Sequence, residues 1–75
     1  MEEQNNNHVS WLNQRMYSTG EAARLLGVDA STLRRWRRAK PVEGPGFIQI
    51  SNRVAKYPES DIEAYLAARH VIPAA

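Results

Sequence analysis

Gly27 separates two short segments that each have the period of an amphipathic helix, and this arrangement constrains the fold more than any other feature. In the first segment Ala22, Leu25 and Leu26 recur at i, i+3 and i+4, which predicts an apolar helix face ending near Leu26. A glycine tolerates the left-handed conformation that is common just past a helix C-terminus. Asp29 is a natural N-cap for the next helix. We therefore expect two helices joined by a three-residue turn.

The first helix also has a sequence signal for its start. Ser18 and Glu21 have capping-box spacing, in which each side chain satisfies a backbone donor at the helix start, and Thr19 is an alternative cap. Small Ala23 lies four positions before Gly27, where the second helix must approach closely. Together with an arginine-rich second helix, these features predict a helix-turn-helix motif.

Residues 29–40 form the second segment, and its two sides differ in chemistry. Leu33 and Trp36 share one side and predict a packed face. Arg37 also projects toward that side, where we expect it to pair with a carboxylate such as Glu21 or Asp61, or to cover the Trp36 ring. The other side is polar and cationic, and its residues are Ser31, Arg34, Arg35 and Arg38.

Basic residues are concentrated in the middle of the chain. The net charge is only +2, yet residues 30–57 hold seven basic side chains against one acid, Glu43, and the remaining residues hold three basic and seven acidic side chains. This segregation is typical of a surface that meets a polyanion. Four arginines within five positions would repel one another on an isolated helix, which favours a DNA partner over a solvated face.

Other classes of protein are disfavoured. With no cysteine, neither a disulfide framework nor a thiolate metal site can form. His8 and His70 lie near opposite ends and lack a nucleophile partner, so we expect neither an enzyme nor a cofactor or metal site. No apolar run approaches the length of a signal peptide core or a membrane span, so we expect a cytoplasmic protein associated with the nucleoid.

Residues 47–50 and 54–57 read as two short strands after a Pro- and Gly-rich loop at residues 41–46. A two-residue turn at Asn52-Arg53 would pair Ile50 with Ala55, although a wider turn remains open. That register predicts two faces. The inner face would carry Ile48, Ile50, Ala55 and Tyr57, and the outer face Gln49, Ser51, Val54 and Lys56.

The C-terminal part predicts a last helix. Ser60 and Glu63 would form a second capping box, and Ile62, Tyr65 and Leu66 with the Arg69 stem would form its apolar stripe, ending near His70. We expect a flexible N-terminal arm at residues 1–15, one domain at 16–70 and a tail at 71–75. Trp11 would be a packing anchor or part of a mobile arm.

Two stretches resemble a known family. YSTGEAARLLGVDASTLRRWR (residues 17–37) resembles the helix-turn-helix of the MerR-like superfamily. FIQI (47–50) and KYPESDIEAYL (56–66) are similar to the wing and final helix of its small excisionase and AlpA-type members. The resemblance implies a winged helix-turn-helix fold, mainly helical with a small β-hairpin, in which the second helix enters the major groove of double-stranded DNA.

The resemblance and the charge pattern give a set of DNA-binding residues. Ser31 and Thr32 lie in the first turn of the second helix, where DNA contact is favoured over local capping. Lys40 ends that helix and complements its dipole, and DNA contact there is an open alternative. The expected groove-facing residues are Ser31, Thr32, Arg34, Arg35 and Arg38, with Lys40 beside them and wing contacts from Asn52, Arg53 and Lys56.

The function expected from this resemblance is that of an excisionase, a recombination directionality factor whose copies self-associate on DNA and bend it so that an integrase works in reverse. An AlpA-like transcriptional regulator is the alternative. The DNA-anchoring subunit of a phage packaging machine and a protein-interaction module are alternatives from other classes. We expect neither a membrane nor a small-molecule ligand as a partner.

Overall fold

The computed structural model describes residues 11–74, which form three helices and a small antiparallel sheet with strand order β1-β3-β2. This architecture is a winged helix-turn-helix, as the sequence predicts. The elements in chain order are a 3-10 turn (Trp11–Asn13), β1 (Met16–Tyr17), α1 (Thr19–Leu26), α2 (Ala30–Arg38), β2 (Ile48–Gln49), β3 (Ala55–Pro58) and α3 (Glu59–Arg69).

The start and end of α1 follow the sequence signals. The backbone N–H of Glu21 donates to Ser18 Oγ (3.1 Å), and the N–H of Ser18 donates to Glu21 Oε1 (2.9 Å), which confirms the capping box. Gly27 ends the helix with φ of 75°. The next N–H, that of Val28, donates to the carbonyl of Ala23 (3.0 Å). The turn into α2 is therefore fixed by backbone hydrogen bonds.

Asp29 occupies the N-cap position of α2, but its carboxylate makes no capping hydrogen bond. Its backbone carbonyl accepts hydrogen bonds from the N–H groups of Thr32 (2.9 Å) and Leu33 (3.2 Å). The position of the helix start was predicted correctly, and the expected side-chain cap is not formed.

The core lies where α1, α2, β3 and α3 meet. Its buried residues are Ala22, Ala23, Leu33, Tyr57 and Ile62. The predicted face of α1 is partly wrong, because Leu25 is 53% exposed while Ala23 is buried. Two adjacent alanines allow α2 to pack closely on α1, and this packing leaves Leu25 on the outer side.

The hairpin between β2 and β3 is present, but the expected register is wrong by one residue. Gln49 pairs with Ala55, where the two-residue turn predicted Ile50. The carbonyl of Val54 accepts hydrogen bonds from the N–H groups of both Ile50 (2.8 Å) and Ser51 (3.2 Å). Ile50 and Ser51 on one strand therefore lie opposite the single residue Val54 on the other. This β-bulge shifts the pairing by one position.

The shift changes which side chains of β2 face the core. Phe47 rather than Ile48 lies against Tyr57, with ring centroids 5.8 Å apart. Ile50, expected on the inner face, is 59% exposed, whereas Ala55 is buried as predicted. Because a slip of one residue exchanges the faces of a strand, the inner face was predicted correctly for β3 and wrongly for β2.

The expected capping box of Ser60 and Glu63 is wrong, because α3 begins at Glu59 and places Ser60 inside its first turn. The N–H of Glu59 donates to the carbonyl of Arg15 (2.9 Å), and the N–H of Ser60 donates to Gln14 Oε1 (2.7 Å). The residues just before β1 thus supply acceptors for a helix that follows 44 positions later in the chain.

The expectation of a flexible arm at residues 1–15 falls largely on residues 1–10, which lie outside the described part of the chain. Trp11 opens the short 3-10 turn and is 49% exposed. Within residues 11–15, the hydrogen bonds to α3 come from Gln14 and Arg15.

Two glycines of the loop at residues 41–46 lie close to α2 and α3. Gly44 has φ of 88°, and a Cβ added there would lie 2.8 Å from Trp36 Cε3. A Cβ added at Gly46 would lie 2.9 Å from Asp61 Cγ. The two glycines therefore allow the chain to pass close to both helices on its way to the wing.

We predict that Gly44→Ala lowers the free energy of unfolding by about 1–3 kcal/mol, because the new methyl group adds backbone strain and meets the Trp36 ring. Gly20→Ala is the matched control. Gly20 lies inside α1 with nothing within 4 Å of an added Cβ, so this change should raise stability by about 0.5–1 kcal/mol. Urea titration of both variants measures the difference, and equal effects would contradict the close packing of the loop.

Candidate nucleic-acid interface

The outer side of α2 is a surface of exposed cations and small polar groups. Its arginines come from three positions of one short helix, and all three are exposed. Thr32 is half-buried. The residues of this surface, called the α2 surface below, are Ser31, Thr32, Arg34, Arg35 and Arg38.

Arg37 is the arginine of α2 that turns inward. Its Nη1 donates to Thr19 Oγ1 (3.0 Å) and to the hydroxyl oxygen of Tyr57 (3.1 Å). Its guanidinium carbon also lies 5.7 Å from the ring centroid of Phe47 and 6.0 Å from that of Tyr57. The inward direction was predicted correctly, whereas the expected partner was wrong: the observed acceptors are hydroxyl groups and not the carboxylates of Glu21 or Asp61.

These contacts make Arg37 a link between three elements. Thr19 begins α1, Tyr57 lies in β3, and Phe47 leads into β2. A guanidinium is well suited to this position, because it donates several hydrogen bonds and its planar face stacks on aromatic rings. The arginine therefore fixes α2 relative to both the first helix and the wing.

Trp36 packs α2 against α3. The indole ring is half-buried and lies 6.2 Å from the ring of Tyr65 in α3. The backbone carbonyl of Trp36 accepts hydrogen bonds from the N–H groups of Ala39 (3.2 Å) and Glu43 (3.0 Å), and the helix ends there. The prediction that Trp36 packs within the protein is confirmed.

The tip of the wing is braced by its own side chains. Gln49 Nε2 donates to the carbonyl of Ser51 (2.6 Å), and the backbone N–H of Arg53 donates to Ser51 Oγ (3.3 Å). Asn52 and Arg53 are both exposed at the turn. A braced tip presents these two side chains to an approaching partner at a small cost in conformational entropy.

The two lysines of the expected set have different environments. Lys40 is exposed just after α2, next to the loop. Lys56 is half-buried in β3, and its charge acts on the carboxyl of Glu21. The backbone N–H of Ser18 is the main cause that lowers the pKa of Glu21, assisted by the Ser18 hydroxyl, Lys56 and Arg24.

Two features of the site were not predicted from the sequence. Thr19 was considered only as a helix cap, yet it accepts a hydrogen bond from Arg37. Gln49 was assigned to the outer face of a strand, yet it braces the turn. No residue pattern in the sequence indicates either contact, because the partners of Arg37 depend on how the elements pack and the role of Gln49 depends on a bulge.

Residues 11–74 contain no group of three or more His, Cys, Asp or Glu side chains that could hold a metal ion. None of the helices in this part of the chain is both long enough and apolar enough to cross a membrane.

We predict that Arg37→Met lowers the free energy of unfolding of the free protein by about 1–3 kcal/mol, because two partly buried hydroxyl groups lose their donor. Arg38→Met is the matched control. It removes the same charge from an exposed position and should change stability by less than about 0.5 kcal/mol. Chemical denaturation without DNA makes the comparison, and a larger loss for Arg38→Met would reverse the assigned orientation of α2.

Comparison with known proteins agrees with this geometry. The family model described as a helix-turn-helix domain matches residues 16–70, whereas no curated protein and no solved structure is significantly similar to the chain. The match supports a small family of helix-turn-helix DNA-binding proteins, and it does not confirm membership of the MerR-like superfamily. Because the family model matches residues 16–70, which is most of the chain, this protein belongs to the helix-turn-helix domain family, whose members bind specific DNA sequences.

Proposed function

We propose that this protein is a recombination directionality factor, an excisionase that binds and bends DNA so that an integrase performs excision. The observation that carries the DNA-binding part is the division of α2, in which Arg37 faces the core while Arg34, Arg35 and Arg38 are exposed on the α2 surface. The proposed place of action is the nucleoid in the cytoplasm.

The α2 surface is proposed to enter the major groove. A guanidinium can donate two parallel hydrogen bonds to O6 and N7 of guanine or to a phosphate, and a lysine does this less well. Ser31 and Thr32 in the first turn are proposed to contact bases or phosphates near the helix start, where recognition helices approach DNA. Lys40 extends the basic surface beyond the end of the helix.

The wing is proposed to contact the DNA backbone or the adjacent minor groove through Asn52 and Arg53. Both side chains are exposed at a tip that is braced by Gln49. Lys56 is proposed as a weaker contact at the base of the wing, because it is half-buried whereas Asn52 and Arg53 are exposed.

A single module of this size buries roughly 600–1,000 Å² on DNA, which rarely gives tight specific binding. Several copies on neighbouring sites are therefore proposed to self-associate on DNA. Copies that bind in succession around one face of the duplex would bend it, and a bent site would bring distant integrase sites together. An integrase or recombinase is the proposed protein partner.

An AlpA-like transcriptional regulator is the second candidate, because the same α2 surface and wing would serve it. The DNA-anchoring subunit of a packaging machine and a protein-interaction module are weaker alternatives. The basic α2 surface disfavours a module that has no nucleic-acid partner.

We predict that Arg35→Ala weakens binding to a duplex selected from a random library by about 5- to 150-fold, which corresponds to the loss of one bidentate contact of about 1–3 kcal/mol. Arg24→Ala is the control. It removes the same charge from an exposed position in α1 and should change the affinity by less than about threefold, because screening weakens distant charges. Fluorescence anisotropy at constant salt measures both.

The same titration at two salt concentrations tests the electrostatic part. The affinity should fall steeply as salt rises. A plot of the logarithm of the association constant against the logarithm of the salt concentration should have a slope of about −0.9 for each phosphate contact. An affinity that barely changes with salt, or equal losses for Arg35→Ala and Arg24→Ala, would contradict DNA binding through the α2 surface.

A reconstituted recombination reaction separates the two leading functions. We predict that adding the protein to an integrase and paired attachment sites increases excisive products and decreases integrative products, while bending of the bound DNA appears by fluorescence energy transfer. Unchanged recombination in both directions, together with repression of a promoter that contains the selected site, would favour the regulator instead.

A further inference from the structure

An apolar groove lies between α1 and α3. Leu25 and Leu66 form its sides and are 53% and 47% exposed, and Tyr17 and Ile62 form its floor. The groove has a volume of about 190 Å³. None of the residues proposed to contact DNA lines it, so it stays accessible while the α2 surface is occupied.

The rim of this α1–α3 groove is acidic. Glu59 and Glu63 of α3 line it directly, and an adjoining hollow is lined by Glu21 with Arg24 as the opposing cation. Carboxylates at this rim repel DNA phosphates and attract a segment that combines apolar side chains with positive charge.

The tail after α3 has this complementary composition. Val71 and Ile72 are 79% and 78% exposed, so they do not occupy the groove of their own chain. Arg69 and His70 come directly before them, and residues 64–75 hold no acidic side chain. The guanidinium of Arg69 is held at the root of the tail by its stack on the Tyr65 ring, 3.7 Å from the centroid.

We propose that the tail of one copy docks in the α1–α3 groove of the next copy, with Val71 and Ile72 against Leu25 and Leu66. The two surfaces are different patches of the same chain, so the contact is head-to-tail and extends into an open row of copies. This inference rests on the proposed binding of several copies to neighbouring DNA sites, and it names the surfaces through which they cooperate.

The small size of the contact predicts where it forms. Two aliphatic side chains bury far less area than a stable dimer needs, so free copies stay monomeric in dilute solution. Copies on adjacent DNA sites hold each other at effective concentrations near millimolar, and a weak contact is then sufficient. The contact should therefore appear as cooperativity on DNA.

Cross-linking through introduced thiols tests the docking, because the natural chain has no cysteine. One chain carries Arg24→Cys beside the groove and another carries Ala74→Cys in the tail. With a flexible bismaleimide on DNA that holds two adjacent selected sites, we expect the cross-linked pair in at least about tenfold higher yield than without DNA. The matched control replaces Arg24→Cys with Val42→Cys, at an exposed loop position outside the proposed DNA contacts, and its yield with Ala74→Cys should stay low.

A tail variant completes the experiment. Val71→Asp combined with Ile72→Asp should abolish the cross-link and the cooperativity between two sites, while affinity for a single site changes by less than about twofold. Equal yields for the two cysteine pairs, or unchanged cooperativity in the tail variant, would overturn the docking while leaving DNA binding intact. A single chain with both Arg24→Cys and Ala74→Cys that closes on itself would overturn it in favour of an intramolecular tail.

Failure of the proposed function gives a different pattern. If the unaltered protein binds no duplex, the DNA-binding proposal fails, and the same cysteine pairs are compared without DNA at millimolar protein. Preferential cross-linking between Arg24→Cys and Ala74→Cys chains would still support the groove, and equal yields for the two pairs would reject it.

Discussion

The inward arginine of α2 is the constraint on which the rest of this small domain depends. Arg37 donates to a hydroxyl of α1 and to a hydroxyl of β3, and its guanidinium lies near two aromatic rings. Hydroxyl oxygens and the faces of aromatic rings can stabilise a partly buried cation in place of a carboxylate. This arrangement fixes the rotation of α2 about its axis, and the other three arginines then necessarily face outward.

Other contacts fix the positions of the loop and of α3. Gly44 lets the loop pass against Trp36, and Gly46 lets it pass against Asp61, so the distance from α2 to the wing is set by two close approaches. Gln14 and Arg15 supply acceptors for the first N–H groups of α3. A domain with a small core gains order from such polar and backbone contacts, because its buried apolar area is limited.

Local rules predicted much of this structure. The capping box at Ser18, the glycine that ends α1, the packing of Trp36 and the outward arginines all depend on neighbours within one or two helical turns, and each is confirmed. The errors arose where residues that are distant in the sequence determine the local structure. The start of α3 is capped by residues 14 and 15, and no residue near Ser60 indicates this.

The wing shows the same limit. Its strands and turn were predictable from residue types, whereas the bulge at Ile50 and Ser51 was not, because it depends on one carbonyl that accepts two hydrogen bonds. That single bulge moved Phe47 to the core face and freed Gln49 to brace the tip. For the candidate site, the sequence predicted the direction of each arginine, while the partners of Arg37 became known only from the fold.

The most direct test of this division of α2 is a nuclear magnetic resonance titration with a selected duplex, followed through the backbone amides and the arginine side-chain signals. The guanidinium signals of Arg34, Arg35 and Arg38 and the amides of Asn52 and Arg53 should shift, while the guanidinium signal of Arg37 stays near its free position. A large shift for Arg37 with unchanged signals for the other three arginines would contradict the proposed orientation of the helix on DNA.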